Sequence, residues 1–127
     1  MIDAMRAYQE TAAQGGNPVR LTVMLYDQII QDITRADEAL RTGEPESCAR
    51  EIGHAVAVIG YLQATLRDQP SPKIARNLNA FYTTLRERVM EAQVRSSRKI
   101  LDELKPQLME VREAWNQVEE ESALAIR

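Results

Sequence analysis

Apolar residues recur every three or four positions in four long stretches of this chain, and this recurrence restricts its fold more than any other feature. Such a recurrence places apolar side chains on one face of an α-helix. Short joints that carry proline, glycine or serine separate the stretches, at residues 43–45, 69–72 and 95–97. Helices joined so closely pack side by side in opposite directions. The pattern therefore predicts an all-α fold, an antiparallel up-down four-helix bundle over residues 17–120.

The first helix is predicted to run from Pro18 to Arg41 or Thr42. Asn17 is a favourable N-cap, proline suits the first helical position, and Gly43 suits the position just past a helix end. The core stripe predicted for this helix contains Leu21, Leu25, Ile29, Ala36 and Leu40. A second apolar line beside the stripe contains Val23, Tyr26 and Ile30.

The second helix is predicted over residues 45–68, and its apolar residues alternate steps of four and three. This alternation is the heptad seam of helices that pack in a bundle. The seam contains Cys48, Ile52, Ala55, Ile59, Leu62 and Leu66. Three apolar residues lie outside the seam, so the helix is more apolar than one seam requires: Val56, Val58 and Tyr61.

The third helix is predicted over residues 72–94, with Ser71 as its N-cap. Its predicted core stripe contains Leu78, Phe81, Leu85, Val89 and Ala92. Phe81 and Tyr82 are adjacent and point about 100° apart, so both rings cannot lie at the centre of one seam. One ring must widen the apolar face toward a large core or a groove. We expect Tyr82 and Asn77 on the groove side, a solvent-facing amide being the alternative for Asn77.

The fourth helix is predicted to begin after Ser96 or Ser97, although one continuous helix through this joint is an alternative. Its seam contains Leu101, Leu104, Leu108, Val111, Trp115 and Val118. A proline inside a helix removes a hydrogen bond and costs ~3 kcal/mol. We therefore expect a kink between Asp102 and Pro106, or a helix that restarts there. Residues 121–127 are predicted to form a loose tail.

Residues 1–16 are predicted to form a flexible N-terminal arm that is separate from the bundle. Gln9 to Gly16 lacks a helical period and ends in two glycines, which favour a flexible joint. Ile2, Met5 and Tyr8 fall on one side of a short helical turn. The arm is either a frayed terminus or a segment whose apolar side chains dock on the bundle.

Composition argues against several classes of function. The net charge is −3, and the 16 basic residues are mixed with 19 acidic ones, so no basic stripe predicts a nucleic-acid partner. No apolar run approaches the roughly 20 residues of a membrane span, and no secretory signal is apparent. The single cysteine, Cys48, has no intramolecular partner for a disulfide. These features favour the cytoplasm.

Side chains with the potential for catalysis or metal binding are scarce. Glu51 and His54 have the Glu-x-x-His spacing of di-iron bundles, but that site needs two copies and this chain has one histidine. The seam through Ile52 and Ala55 is expected to turn His54 toward solvent. Cys48 lies in the seam, as a small buried hydrophobe would. We therefore predict no enzyme activity, no metal and no cofactor.

Four short motifs resemble the FliS family of flagellin export chaperones, in the family's order and along nearly the whole chain. They are Ala7-Tyr8, Met24-Leu25-Tyr26-Asp27, Ile74-Ala75-x-Asn77-Leu78-x-x-Phe81-Tyr82 with Leu85, Arg88 and Ala92, and Arg112-Glu113-Ala114-Trp115. The chain departs from the family pattern at Ser71-Pro72, where paired glycines are usual, and at Thr84, where a tyrosine is frequent. Pro106 is a further departure.

The resemblance implies a cytosolic bacterial protein that binds the C-terminal segment of flagellin, prevents premature polymerisation and assists delivery to the gate of the flagellar type III secretion system. We expect a client groove between the second and third helices, with Tyr26 and Tyr82 near its edge. The arm residues Ile2, Met5 and Tyr8 would cover this groove when no client is bound. The expected client contacts are Tyr8, Tyr26, Ile30, Val56, Asn77, Leu78, Phe81, Tyr82 and Leu85.

Two other functions remain as alternatives. A bundle adaptor would bind some other helical partner, or only a second copy of this chain as a homodimer. A metal- or redox-active bundle enzyme is disfavoured by the single histidine and the single cysteine.

Overall fold

The structure is a computed structural model that describes residues 18–68 and 71–126. The described residues form no strand, and their four α-helices are α1 (Pro18–Arg41), α2 (Pro45–Ala64), α3 (Pro72–Arg95) and α4 (Arg98–Ile126). A short 3-10 segment, Thr65–Asp68, extends α2. The predicted all-α four-helix bundle is confirmed.

The helices begin and end at the punctuation that the sequence carries. Gly43 adopts a φ of 74° just past α1, a left-handed conformation that glycine tolerates best. The Ser71 side chain accepts a hydrogen bond from the backbone N–H three residues later, at 3.3 Å, and so caps α3. Ser96 is left-handed at the end of α3, and Ser97 caps α4 in the same way as Ser71 at 3.2 Å. One continuous helix through this joint is therefore excluded.

The four helices surround one core. Each helix packs against the helix before it in the chain, and α1 also packs closely against α4. Helices α1 and α3 therefore lie on a diagonal of the bundle. Of the neighbouring pairs, α3 and α4 pack least closely, so α3 is the least enclosed helix. The predicted stripes of α1 and α2 are buried, apart from a half-buried Leu40.

The buried stripe of α3 corrects the sequence prediction at one position. Tyr82 lies in the core, whereas Phe81 and Leu78 are half-buried at its border. The stripe continues through Leu85, Val89 and Ala92. The prediction had the two rings the wrong way round, because a tyrosine can leave water when its hydroxyl has a hydrogen-bond partner. Tyr82 has such a partner in Tyr26 on α1.

The prediction that His54 faces solvent is wrong. The residue is only 8% exposed, and its Nδ1 lies 2.6 Å from Oδ2 of Asp32 on α1. A buried carboxylate gives the imidazole a polar partner away from water. Helix α2 buries a wide face because it packs against α1 as well as α3.

Helix α4 runs through Pro106 without interruption and reaches Ile126, so the helix does not restart at the proline. Asp102 and Pro106 are both exposed, which lets water reach the backbone carbonyl that the proline leaves without a donor. Val118 is 43% exposed and lies outside the core, contrary to the predicted seam. The other seam residues are Leu101, Leu104 and Leu108, which are buried, and Val111 and Trp115, which pack against the core.

The N-terminal arm, with Ile2, Met5 and Tyr8, lies outside the described residues. Its predicted docking on the bundle stays a prediction. The predicted boundary between bundle and tail at residue 120 is not a helix end, since α4 continues beyond it.

Candidate partner-binding surface

Two tyrosines join the diagonal helices inside the bundle. The Tyr26 hydroxyl donates a hydrogen bond to the Tyr82 hydroxyl at 2.8 Å, and the ring centroids lie 6.2 Å apart. Trp115 of α4 lies within hydrogen-bonding reach of the same Tyr26 hydroxyl. Burial raises the pKa of Tyr26, and these two hydrogen bonds offset part of that rise. The cluster therefore links α1, α3 and α4 through two polar contacts of the Tyr26 hydroxyl.

This placement corrects the expected position of the two rings. Tyr26 and Tyr82 are 0% and 1% exposed, so they lie in the core and not at the edge of a groove. Leu85 is buried as well. Contact between any of these residues and a client stays a prediction.

Phe81 is the aromatic ring of α3 that reaches the surface. It is half-buried, and its centroid lies 5.7 Å from that of Tyr82. It lines a cleft of about 140 Å³ between α3 and α4, together with Leu85 and Leu104. The polar lining of this cleft consists of Thr84, Arg88, Glu103 and Gln107. The cleft is large enough for one apolar side chain of a partner.

Ion pairs join α4 to both of its neighbours. Arg88 of α3 contacts Glu103 at 3.2 Å. On the other side, α4 contacts α1 through Arg98 to Asp37 at 2.9 Å, Lys105 to Asp37 at 3.9 Å and Arg112 to Asp27 at 2.5 Å. Exposed pairs of this kind contribute little to stability. These ion pairs nevertheless give the charged groups named here partners within this chain.

The boundary between α2 and α3 is different, because neutral side chains bridge it. Gln63 Nε2 donates to Asn79 Oδ1 at 3.1 Å and to Thr83 Oγ1 at 3.0 Å. Among the described residues, no ion pair joins these two helices. Met90 and Val94 of α3 are 48% and 85% exposed, and they lie two and three turns beyond Thr83. Apolar side chains are therefore left uncovered along this boundary.

The remaining predicted contact residues occupy several places. Val56 is half-buried on α2, and Leu78 is half-buried on α3, where Asn77 is exposed. Ile30 is half-buried on α1, where it lines a shallow, open depression with Met24. Phe81 lies at the cleft between α3 and α4 and Ile30 lies at the depression on α1, so these two residues do not share one groove.

A buried polar cluster between α1 and α2 was missed by the sequence reasoning. The Asp32 side chain is 0% exposed and accepts a hydrogen bond from Gln28 at 2.8 Å in addition to its contact with His54. Burial raises the pKa of Asp32, and hydrogen bonds with Gln28 and His54 offset part of the rise. The position of Asp32 between Ile29 and Ile33 could have revealed it, since these neighbours belong to the buried face.

The described residues contain no group of three or more histidine, cysteine, aspartate or glutamate side chains that could hold a metal ion. Across the same parts of the chain, no helix has the length and apolar character that crossing a membrane requires.

Known proteins resemble this chain over most of its length. The family model described as flagellar protein FliS matches residues 1–122. The flagellar secretion chaperone FliSB of Pseudomonas aeruginosa is 27% identical over 119 residues, which cover 91% of this chain and 94% of that protein. The flagellar secretion chaperone FliS of Salmonella typhimurium is 27% identical, with 86% and 82% covered. Its counterpart in Bacillus subtilis is 25% identical, with 87% and 82% covered.

Proposed function

This chain belongs to the FliS family, and from that premise we propose that it is an export chaperone that binds the C-terminal segment of flagellin in the bacterial cytosol. Binding covers the helices through which flagellin subunits would pack in a filament and so prevents premature polymerisation. The complex then delivers flagellin to the flagellar type III secretion apparatus. The names of the relatives, which are flagellar secretion chaperones, support this role.

The observation that carries the proposal is that α3 has uncovered apolar side chains on both of its sides. Ile74 is 50% exposed and lies two turns before Phe81, on the side of the α4 cleft. Met90 lies two turns after Thr83, on the side of α2, and Val94 follows one turn later. Helical segments of a client can therefore lie along either side of α3 with their apolar faces inward.

The properties of the client fit a surface of this extent. A segment that is disordered when unbound loses conformational entropy when it orders on a chaperone. It therefore needs a large buried area to bind tightly. Two apolar boundaries on either side of one helix provide more area than a single groove. Binding of this kind needs no catalytic group, nucleotide or metal.

The N-terminal arm supplies a second part of the proposal. Residues 1–16, with Ile2, Met5 and Tyr8, cover the apolar boundaries of α3 until a client displaces them. Helix α1 begins at Pro18, at the end of the bundle where α3 also begins. An extended arm of this length reaches roughly 50 Å, far enough to run along α3. The arm would thereby protect the apolar side chains from self-association.

A pull-down of the full chain with flagellin tests the proposal. Full-length flagellin is expected to bind, and flagellin that lacks its C-terminal segment is expected not to bind. Binding that survives the truncation would contradict the proposed recognition of the C-terminal segment. It would favour an adaptor for another helical partner. A chain that forms only a homodimer and ignores both flagellins would point to self-association instead.

A further inference from the structure

We propose that the boundary between α2 and α3 binds its client as an amphipathic helix that carries aliphatic residues on its inner side and carboxylates along its edges. The inference rests on the proposed chaperone function and specifies the chemistry of the segment that α2 and α3 recognise. We call this surface the arginine-bordered face and define it by Val56, Met90, Arg67, Arg76 and Arg86.

The register of the two helices defines the centre of the face. Gln63 contacts Thr83, and the helices run in opposite directions from that contact. Two turns back along α2 lies Val56, and two turns forward along α3 lies Met90, so these residues are opposite each other. Val94 continues the line on α3 with 85% of its surface exposed. The centre of the face is thus apolar and uncovered in the described structure.

The α2 side of the face lacks a side chain at two positions. Gly53 and Gly60 lie two turns apart within the helix, and a Cβ on either one would meet no atom within 4 Å. Glycine is unfavourable in a helix interior relative to alanine. Packing among the described residues therefore gives no reason for either glycine. Close approach of a partner's backbone would explain both glycines. The glycines therefore support the same docking surface as the exposed apolar side chains do.

Arginines surround this apolar centre. Arg67 follows Gln63 by four residues, Arg76 precedes Asn79 by three, and Arg86 follows Thr83 by three. Arg76 and Arg86 therefore lie on the same side of α3 as the neutral bridge, and Arg67 lies in the 3-10 segment that extends α2. All three are exposed. Arg50, three residues before Gly53, extends the border toward the other end of α2.

The charges of these arginines are not neutralised by neighbours. Within the described ranges, none of the four guanidinium groups takes part in an ion pair. By contrast, Arg88, Arg98 and Arg112, on the boundaries of α4, all pair with carboxylates of an adjacent helix. The same residue type is thus paired where helices of this chain meet α4 and unpaired around the α2/α3 boundary.

The sequence concentrates positive charge in this region although the whole chain carries −3. Between residues 61 and 86 the basic residues are Arg67, Lys73, Arg76 and Arg86, and the only acidic residue is Asp68. A client helix with carboxylates along its edges would supply the missing partners, whereas a basic helix would be repelled. Charge complementarity therefore selects an acidic amphipathic helix as the occupant.

The test compares two charge-reversal variants of the full chain in their affinity for the C-terminal segment of flagellin. The variant R76E/R86E reverses two arginines of the face. The control R35E/K99E reverses two exposed cations of α1 and α4 and changes the net charge equally. We expect R76E/R86E to bind about tenfold more weakly at low ionic strength, with the difference shrinking as salt is added. The control is expected to stay within about twofold of the wild type.

Each outcome bears on a defined claim. An equal loss in both variants, or no loss in R76E/R86E while the wild type binds, would overturn the acidic-helix inference and leave the proposed function standing. A wild-type chain that does not bind the segment at all would instead overturn the proposed function. Unfolding curves of both variants should match the wild type, since all four positions are exposed.

A photo-crosslinker placed at Ala57, which is exposed between the two glycines, provides an independent measurement. Client should crosslink at Ala57 and not at Gln31 on the outer side of α1. Crosslinks from Ala57 to a second copy of this chain in the presence of client would contradict the proposed occupant.

Discussion

The hydroxyls of Tyr26 and Tyr82 lie 2.8 Å apart and form a hydrogen bond between helices that face each other across the diagonal of the bundle. Both rings are fully buried, so each hydroxyl depends on the other for part of its hydrogen bonding. The contact fixes the position of α3, the helix that its neighbours enclose least. It therefore connects the stability of the core to the geometry of the proposed client surface.

Replacing either tyrosine by phenylalanine should reveal this connection. We expect Tyr26→Phe and Tyr82→Phe each to lower the unfolding free energy by about 1–2 kcal/mol, because each removes the buried hydrogen bond between the two hydroxyls. The double variant should lose less than the sum of the two single losses. Urea unfolding of the four proteins measures this coupling, and strictly additive losses would contradict it.

The Tyr82→Ala variant is a poor probe of client contact. Removing a buried aromatic ring costs about 3–5 kcal/mol, so a loss of binding would accompany a loss of structure. Tyr82→Phe retains the ring, which makes it the better choice for a binding measurement.

The pair of His54 and Asp32 predicts a strong dependence of stability on both partners. His54→Leu should cost about 3 kcal/mol near neutral pH, because Asp32 would remain charged in the core with only Gln28 as a partner. The double variant Asp32→Leu with His54→Leu should be closer to the wild type, since it leaves no buried charge. Denaturant unfolding of the wild type and both variants gives these values.

The same variant should respond to pH in a defined direction. Burial raises the pKa of Asp32 above its ordinary value. A carboxyl whose pKa is raised in the folded state favours folding when protonated, and this contribution is lost as the pH rises through the folded pKa. The deficit of His54→Leu relative to the wild type should therefore shrink as the pH is lowered from neutral. A deficit that grows on acidification would contradict this assignment.

Phe81 is expected to contribute more to binding than to stability. Its ring is half-buried at the α3/α4 cleft, so Phe81→Ala should cost less than the removal of a core ring. Loss of an aromatic anchor weakens an interface by about 2 kcal/mol or more. Isothermal titration with the flagellin segment measures this loss. Met109→Ala, an exposed apolar residue of α4, is the matched control and should bind as the wild type does.

How much of the fold the sequence predicts depends on whether the cause is local. The helix ends at Gly43, Ser71 and Ser97 were predictable, because each depends on the backbone preferences or side chain of the residue itself. The exchange between Phe81 and Tyr82 was not predictable from α3 alone. It depends on a hydroxyl of α1 that the chain brings across the bundle.

The polar contacts also could not be predicted from one helix alone, because their partners lie on other helices. His54 was expected in solvent because its partner, Asp32, lies 22 residues away on another helix. Likewise, the sequence shows arginines throughout the chain but not which of them have acidic neighbours. Arg112 pairs with Asp27 of α1, whereas Arg86 has no such neighbour among the described residues. The candidate surface therefore becomes visible only when the helices are assembled.

Deleting residues 1–14 should distinguish the contribution of the arm to client binding from the contribution of the bundle to stability. Residues 1–14 precede the four helices of the bundle, the first of which begins at Pro18, so the melting temperature is expected to change little. Client affinity should rise, because the client would no longer compete with the arm for the apolar boundaries of α3. A full-length chain and the deletion variant, titrated side by side with the flagellin segment, give the comparison. An unfolded deletion product, or one with unchanged client affinity and unchanged self-association, would contradict the proposal that the arm covers the apolar boundaries of α3.

The most direct measurement of the central claim is the rate at which monomeric flagellin polymerises onto filament seeds in the presence of this chain. An export chaperone that covers the C-terminal segment should suppress polymerisation once it is present at equal concentration, and Phe81→Ala should suppress it less. Unchanged polymerisation at an excess of the folded chain would contradict the proposed function.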